Sequence, residues 1–232
     1  NDFTYFLDFV SDQSKKYAFS SSVGSYTETE QDSKISNLLG DFSQIAVREN
    51  EAVAWIKRLS QMDSTWVCDP TMLLTKDEWL SLLPIYSVKK KYVLVYFADD
   101  TGKCVSDAIH YAKKHNLAVW MINYSLPAKG TKTVKPSSLN DFLSLIYNAE
   151  TIFTASYHGM LFSIYFEKNF YFYTRAHSTR VLSLASRLKI ENRCGTWLKE
   201  ISDEPINYTV VNSLVKDFRD QSISVLKGML GE

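Results

Sequence analysis

The 232-residue chain balances 26 Lys/Arg against 26 Asp/Glu and is 45% apolar and 22% charged, values ordinary for a water-soluble globular protein. That length allows one large core or two modest ones, and the lack of basic runs excludes a nucleic-acid surface. No run approaches the roughly 18 apolar residues of a membrane span. Cys68, Cys104 and Cys194 are too scattered for a metal site or a disulfide framework, which points to reduced thiols in the cytoplasm.

In chain order, "NDFTYFLDFV" carries acids where a signal peptide would carry lysines. "KYAFSSSVGS" reads as a buried strand running into a small-residue loop, "SKISNLLGDF" as a short helix and "QIAVRE" as a strand ending in charge. "ENEAVAWIKRLS" places Ala52, Trp55, Ile56 and Leu59 on one helical face. "TWVCD" is a further short strand, punctuated by Asp69-Pro70; Thr75 and Glu78 then have capping-box spacing before "WLSLL".

The rhythm repeats in the second half. "YVLVYFA" (92–98) is the near-continuous apolar strand of a parallel sheet covered on both faces. A helix over about 103–115, the strand "AVWMIN" (118–123), a loop over 124–136 and a helix over "SSLNDFLSLIYNAE" follow. Then come the strand "TIFTA" (151–155), a helix from about 159, the strand "FYFYT" (170–174), the helix "STRVLSLASRL" and a terminal amphipathic helix over about 211–230. Strands alternating with helices predict an α/β protein with parallel sheets and right-handed crossovers. The division falls near Asp69-Pro70, giving 1–70 as the latter part of a first lobe and 71–232 as a second lobe. The last helix is free to pack back on the first lobe, and the opening on "FTYFLDFV" suggests that this first lobe is incomplete.

Charge is uneven along the chain. Residues 1–70 hold 6 Lys/Arg against 11 Asp/Glu, whereas 129–193 hold nine against four. This is either a solvated face or a second half that attracts an anion.

Ligands of parallel α/β lobes bind at the carboxyl ends of strands, and three polar clusters fall there. Arg48-Glu49 closes "QIAVRE", Asp69-Pro70-Thr71 closes "TWVCD", and Ser156-Tyr157-His158-Gly159 closes "TIFTA". In the third, a helix N-terminus offers backbone N–H groups to a phosphate or carboxylate. Ser156 adds a hydroxyl, His158 a proton near neutral pH, and Gly159 close approach. The plainer alternative is that Ser156 caps the helix and His158 is a satisfied turn residue. Arg48 reads more simply as a surface ion pair with Glu49 or Glu51, and Asp69-Pro70 as a turn and helix-entry device rather than a catalytic acid. Arg180 stands at a helix start, where a cation opposes the macrodipole and calls for an anion. Lys168 and Arg175 flank one strand and read as plain surface charges. No G-x-S-x-G, P-loop, H-E-x-x-H or Gly-rich dinucleotide fingerprint occurs.

Together, "ISNLLGDFSQIAVREN", "WVCDPTMLLTKDEW", "YVLVYF", "KPSSLNDFLSLIYNAETIFTASYHGMLFSIYFEKNF" and "STRVLSLASRLKIENR" resemble, in this order, the polysaccharide pyruvyl transferase family. The S-[FY]-H-G block followed by F-S-I is the most specific part. Arg48-Glu49 resembles the family's R-[DE] step, and Ser178 to Arg180 its later arginine. The resemblance implies two Rossmann-like lobes of the GT-B type. It also implies transfer of a pyruvyl group from phosphoenolpyruvate to two hydroxyls of one sugar, without a cofactor. By the same resemblance His158 is the general acid. Arg48, Ser156, Gly159, Arg180 and Lys168 bind the donor, and Glu49, Asp69, Tyr157 and Ser178 support the site. With the arginines in different lobes, closure of the cleft is expected to assemble the site. The acceptor is a saccharide, lipid-linked or free, expected to be met largely by the first lobe (1–70) and by loops while the second (71–232) holds the donor, and peripheral membrane association is compatible with either. A GT-B-type glycosyltransferase, a sugar-nucleotide enzyme and a non-catalytic glycan-binding scaffold are the alternatives.

Overall fold

The computed structural model describes residues 3–12, 16–24, 30–97, 102–123, 128–175 and 179–232. Its strands are β1 (Tyr17–Ser21), β2 (Gln44–Val47), β3 (Thr65–Trp66), β4 (Tyr92–Tyr96), β5 (Ala118–Ile122), β6 (Lys132–Val134), β7 (Thr151–Thr154) and β8 (Asn169–Phe172). The helices are α1 (Asp32–Gly40), α2 (Asn50–Ser60), α3 (Lys76–Leu82), α4 (Lys103–Lys114), α5 (Leu139–Asn148), α6 (Tyr157–Tyr165), α7 (Thr179–Leu188) and α8 (Tyr208–Leu230). Among the described residues the strands form two parallel sheets, one ordered β1-β2-β3 and the other β6-β5-β4-β7-β8. The protein is therefore α/β, as its alternating sequence predicts.

The larger sheet is covered on both faces, which is why its central strand reads as an unbroken apolar run. Side chains alternate across a strand. Tyr92 and Leu94 accordingly face a core built with α5, α6 and α7, while Val93 and Val95 face one built with α4. In the smaller sheet Ile45 and Val47 pack with Ile35, Leu39, Ala52 and Ile56 of α1 and α2. Its opposite face, carrying Ala46 and Val67, is covered by Val225 and Met229 of α8. Among the described residues no helix is long and apolar enough to cross a membrane.

One element differs in kind from expectation. Residues 132–134, predicted as loop, form β6, which pairs Trp120 with Lys132 and Ile122 with Val134. A short edge strand bearing a lysine lacks the apolar signature of a buried strand, because charge on an edge guards against unwanted pairing. Residues 124–127 of that predicted loop lie outside the described residues. The "TWVCD" strand pairs only through Thr65 and Trp66, after which Val67 donates to Val47 O (2.8 Å) and the chain turns at Pro70.

Strand order in the larger sheet determines where a ligand can sit. From β4 the chain steps to β5 and β6 on one side, then returns to β7 and β8 on the other. The helices leaving β4 and β7 diverge, and the crevice at their carboxyl ends is the switch point where open α/β sheets bind ligands.

Candidate functional site

At the end of β7 the Thr154 hydroxyl donates to Tyr96 O (2.6 Å) and accepts from Ser156 N–H (3.0 Å). Ser156 is the N-cap of α6, its side chain accepting from Gly159 N–H (3.2 Å). The predicted capping role is thus present, and α6 begins at Tyr157, two residues earlier than the sequence suggests. Gly159 lets its neighbours approach closely. A Cβ there would stand 2.4 Å from Thr154 Oγ1 and 2.9 Å from Tyr96 Cδ1. The tight seat of α6 against β4 and β7 presents His158 at the surface, its side chain 47% exposed, and buries Tyr157.

Two buried carboxylates organise the facing elements. Asp69, 1% exposed, caps the 3-10 turn Pro70–Leu73. Its Oδ1 accepts from Thr71 N–H (3.0 Å) and Thr71 Oγ1 (2.7 Å). Its Oδ2 accepts from Arg48 Nη1 (2.6 Å) and lies 3.7 Å from His158 Nε2. Glu49, also 1% exposed, accepts from the Ser22 hydroxyl and from Val23 N–H (3.1 Å), holding the segment that follows β1. Arg180 Nε lies 3.6 Å from Glu49 Oε1. The guanidinium carbons of Arg48 and Arg180 lie over the Tyr157 ring, 5.6 and 5.8 Å from its centroid.

The structure therefore gathers Arg48, Glu49, Asp69, Tyr157, His158 and Arg180, with Ser156 and Gly159 shaping the turn that carries the histidine. The two arginines meet in this cluster, because Arg180 reaches Glu49, the residue adjacent to Arg48. Arg48 finds its partner across the site in Asp69, rather than in neighbouring Glu49 or Glu51. Lys168 is not brought to the cluster. It precedes β8 at the amino edge of the sheet, where its Nζ donates to Tyr147 O (2.9 Å). A whole strand separates that edge from His158. Ser178 lies outside the described residues.

Sequence reasoning named Thr71 only as a member of the polar cluster closing "TWVCD" and gave no role to Tyr165. Thr71 Oγ1 lies 3.0 Å from Tyr165 Oη, linking the Asp69 turn to the end of α6. The Asp-Pro-Thr triplet signalled it, since an Asp side chain commonly accepts from the backbone two residues on. Nothing local marked Tyr165. On the first-sheet side of Arg48 a cavity of about 610 Å³ is lined mainly by apolar side chains, with Ser20, Ser22 and Trp55 among them.

Burial lowers the pKa of His158, and the Arg48 and Arg180 charges lower it further against the opposing pull of Asp69. Desolvation, then the Asp69 charge, raises the phenol of Tyr157. The imidazole is thus held towards its neutral form, and an added anion would shift it towards the charged form. Arg48 Nε is buried without an acceptor among the described residues. A donor in that state is costly unless something completes it. The arrangement can hold an anion between two guanidinium groups and pass a proton to it or from it.

A family model described as polysaccharide pyruvyl transferase matches residues 1–177. No curated protein sequence matches the chain. Among solved structures, UDP-GlcNAc 2-epimerase from Neisseria meningitidis bound to UDP-GlcNAc is 9% identical, covering 79% of this chain and 63% of that one at a TM-score of 0.42. The wall teichoic acid polymerase TagF, as the H444N variant with CDPG, is 13% identical, covering 92% of this chain and 58% of that one at a TM-score of 0.37. The chain thus spans less than two thirds of the length of either structure.

Proposed function

The chain belongs to the polysaccharide pyruvyl transferase family, and on that premise we propose that it transfers a pyruvyl group from phosphoenolpyruvate to two hydroxyls of one sugar, giving a cyclic ketal and phosphate. The carrying observation is the meeting of Arg48, Arg180 and His158 around Tyr157. Guanidinium groups suit the donor because each can bind a carboxylate or phosphate through parallel hydrogen bonds. With Gly159 N–H taken by the Ser156 cap, the N–H groups of Tyr157 and His158 at the start of α6 have no intrahelical acceptor and favour an anion at the same place.

Phosphoenolpyruvate is electron-rich at C3. His158 delivers a proton there, leaving an oxocarbenium-like centre at C2. One sugar hydroxyl adds to C2, the C2–O bond to phosphate breaks, and the second hydroxyl closes the ring. Of the two hydroxyl protons, one returns to His158 and one leaves on phosphate. The depressed pKa of His158 fits an acid that is charged only when the donor is bound. The donor's own negative charge raises that pKa towards the working pH, where a general acid is most effective.

The test is incubation of the full-length protein with phosphoenolpyruvate and a panel of glycosides bearing neighbouring free hydroxyls, followed by ³¹P NMR and mass spectrometry. The reading predicts phosphate release together with a sugar heavier by one pyruvate less one water. His158→Ala should slow turnover about 10²–10⁴-fold, equivalent to about 3–5 kcal/mol of barrier. Phosphate release without ketal, or turnover that requires a sugar nucleotide, would contradict it.

A further inference from the structure

The switch point of the larger sheet carries a feature that the donor site does not use. Phe97, immediately after β4, has φ +55° and is 51% exposed. A bulky side chain in the left-handed region is strained, and such strain persists where the surrounding structure imposes it, often at ligand sites. Here the Phe97 carbonyl accepts from Ala155 N–H (2.7 Å), tying the residue to the segment that leads into Ser156 and His158. Arg175, three residues beyond β8, reaches across the end of β7 and sets its guanidinium carbon 4.6 Å from the Phe97 ring centroid. Preceding Tyr96 turns inward, its ring 4.9 Å from that of Phe142, edge to face. The backbone change at Phe97 therefore leaves an aromatic ring and a cation on the carboxyl edge, one strand end from the histidine.

We infer that Phe97 and Arg175 form a saccharide subsite, the ring stacking on the apolar face of a pyranose and the guanidinium holding an anionic substituent such as a phosphate. This rests on the saccharide-acceptor reading above and deepens it, by adding a contact on the second sheet to those expected from the first lobe. A pyranose presents C–H groups on one face and hydroxyls at its rim, so an exposed ring beside a charged donor matches both. A switch-point crevice is also where open α/β sheets bind ligands.

The test is binding without phosphoenolpyruvate, which keeps its outcome separate from that of the pyruvyl-transfer reading. Glucose, galactose and N-acetylglucosamine 1-phosphates, their neutral methyl glycosides, inorganic phosphate and UDP are titrated by saturation-transfer NMR. The hexose phosphates should bind more tightly than the neutral glycosides. Phe97→Ala should weaken both sugar classes about tenfold, one lost contact of about 1.4 kcal/mol, and leave phosphate unchanged. Phe97→Trp should retain sugar binding, and Arg175→Ala should reduce the hexose phosphates to the level of the neutral glycosides. Far-UV circular dichroism confirms the fold of each variant. Saturable binding of no sugar, or sugar binding indifferent to Phe97→Ala, overturns the inference. So does UDP binding more tightly than every hexose phosphate and lost in Phe97→Ala, which would replace the sugar with a nucleobase.

Discussion

Asp69 shows most clearly how single residues make this site. Its two oxygens serve different tasks, one closing the turn through Thr71 and the other holding Arg48 within 3.7 Å of His158. Asp69→Ala removes both and leaves a mostly buried guanidinium unpaired, a change expected to cost about 3 kcal/mol, the low end for breaking a buried pair. Asp69→Asn can keep the turn while losing the charge. It should destabilise less in urea unfolding, yet lower the His158 pKa further in an NMR titration, because the Asp69 charge raises it. A purely structural Asp69 would leave that titration unmoved. His158 also makes stability depend on pH. Its folded pKa lies below the unfolded value of about 6.5, so its contribution is present above that value and is lost as pH falls through the folded one. Wild type should therefore lose more stability than His158→Ala on acidification below about pH 6.5, measured as the difference between their urea midpoints. The turn role of Asp69 was legible, since Asp-Pro-Thr is a local signal. Its pairing with Arg48 was not, because 21 residues and a change of strand separate the two.

At the scale of elements, α6 is positioned by what Gly159 lacks. Gly159→Ala must push the helix away from Thr154 and Tyr96, since a Cβ would sit 2.4 Å from a hydroxyl that is already bonded on both sides. Overpacking of this kind should destabilise the protein by about 1–3 kcal/mol in chemical unfolding. Binding at the His158 turn should weaken as well, since that turn moves with the helix. The sequence marked this glycine as permissive, but only tertiary contacts show which neighbour requires it. Strand and helix alternation was legible throughout, because apolar runs such as 92–96 carry their burial on their face. The β6 edge strand was not, because edge pairing needs backbone alignment and little apolar surface. Lys168 was misplaced for a related reason. The sequence shows that it borders β8, and the sheet's direction decides that this border is the edge away from the site.

At the scale of the molecule, the end of the chain returns to its beginning. Ser222 of α8 accepts from Cys68 N–H (2.8 Å), and Arg219 donates to Met72 O (2.6 Å), so α8 brackets the turn that carries Asp69. Arg187 of α7 adds a cation over both Trp66 and Phe218. Ser222→Ala should leave Cys68 N–H buried and unpaired, costing about 1–3 kcal/mol in thermal unfolding. It should also loosen the Arg48–Asp69 pair although it lies 154 residues from Cys68 in sequence. An amphipathic terminal helix and its return to the first lobe were expected from the sequence, whereas the particular contacts there, Val225 and Met229 on Ala46 and Val67, depend on a fold that no local pattern encodes.

The central claim is that two arginines hold an anionic donor beside a histidine that becomes an acid on binding. Its most direct test is calorimetric titration of phosphoenolpyruvate in buffers of different ionisation enthalpy. The account predicts wild-type binding with net proton uptake, loss of binding in Arg180→Ala, and binding without that uptake in His158→Ala. Failure of the wild type to bind phosphoenolpyruvate, or binding that neither substitution alters, would contradict it.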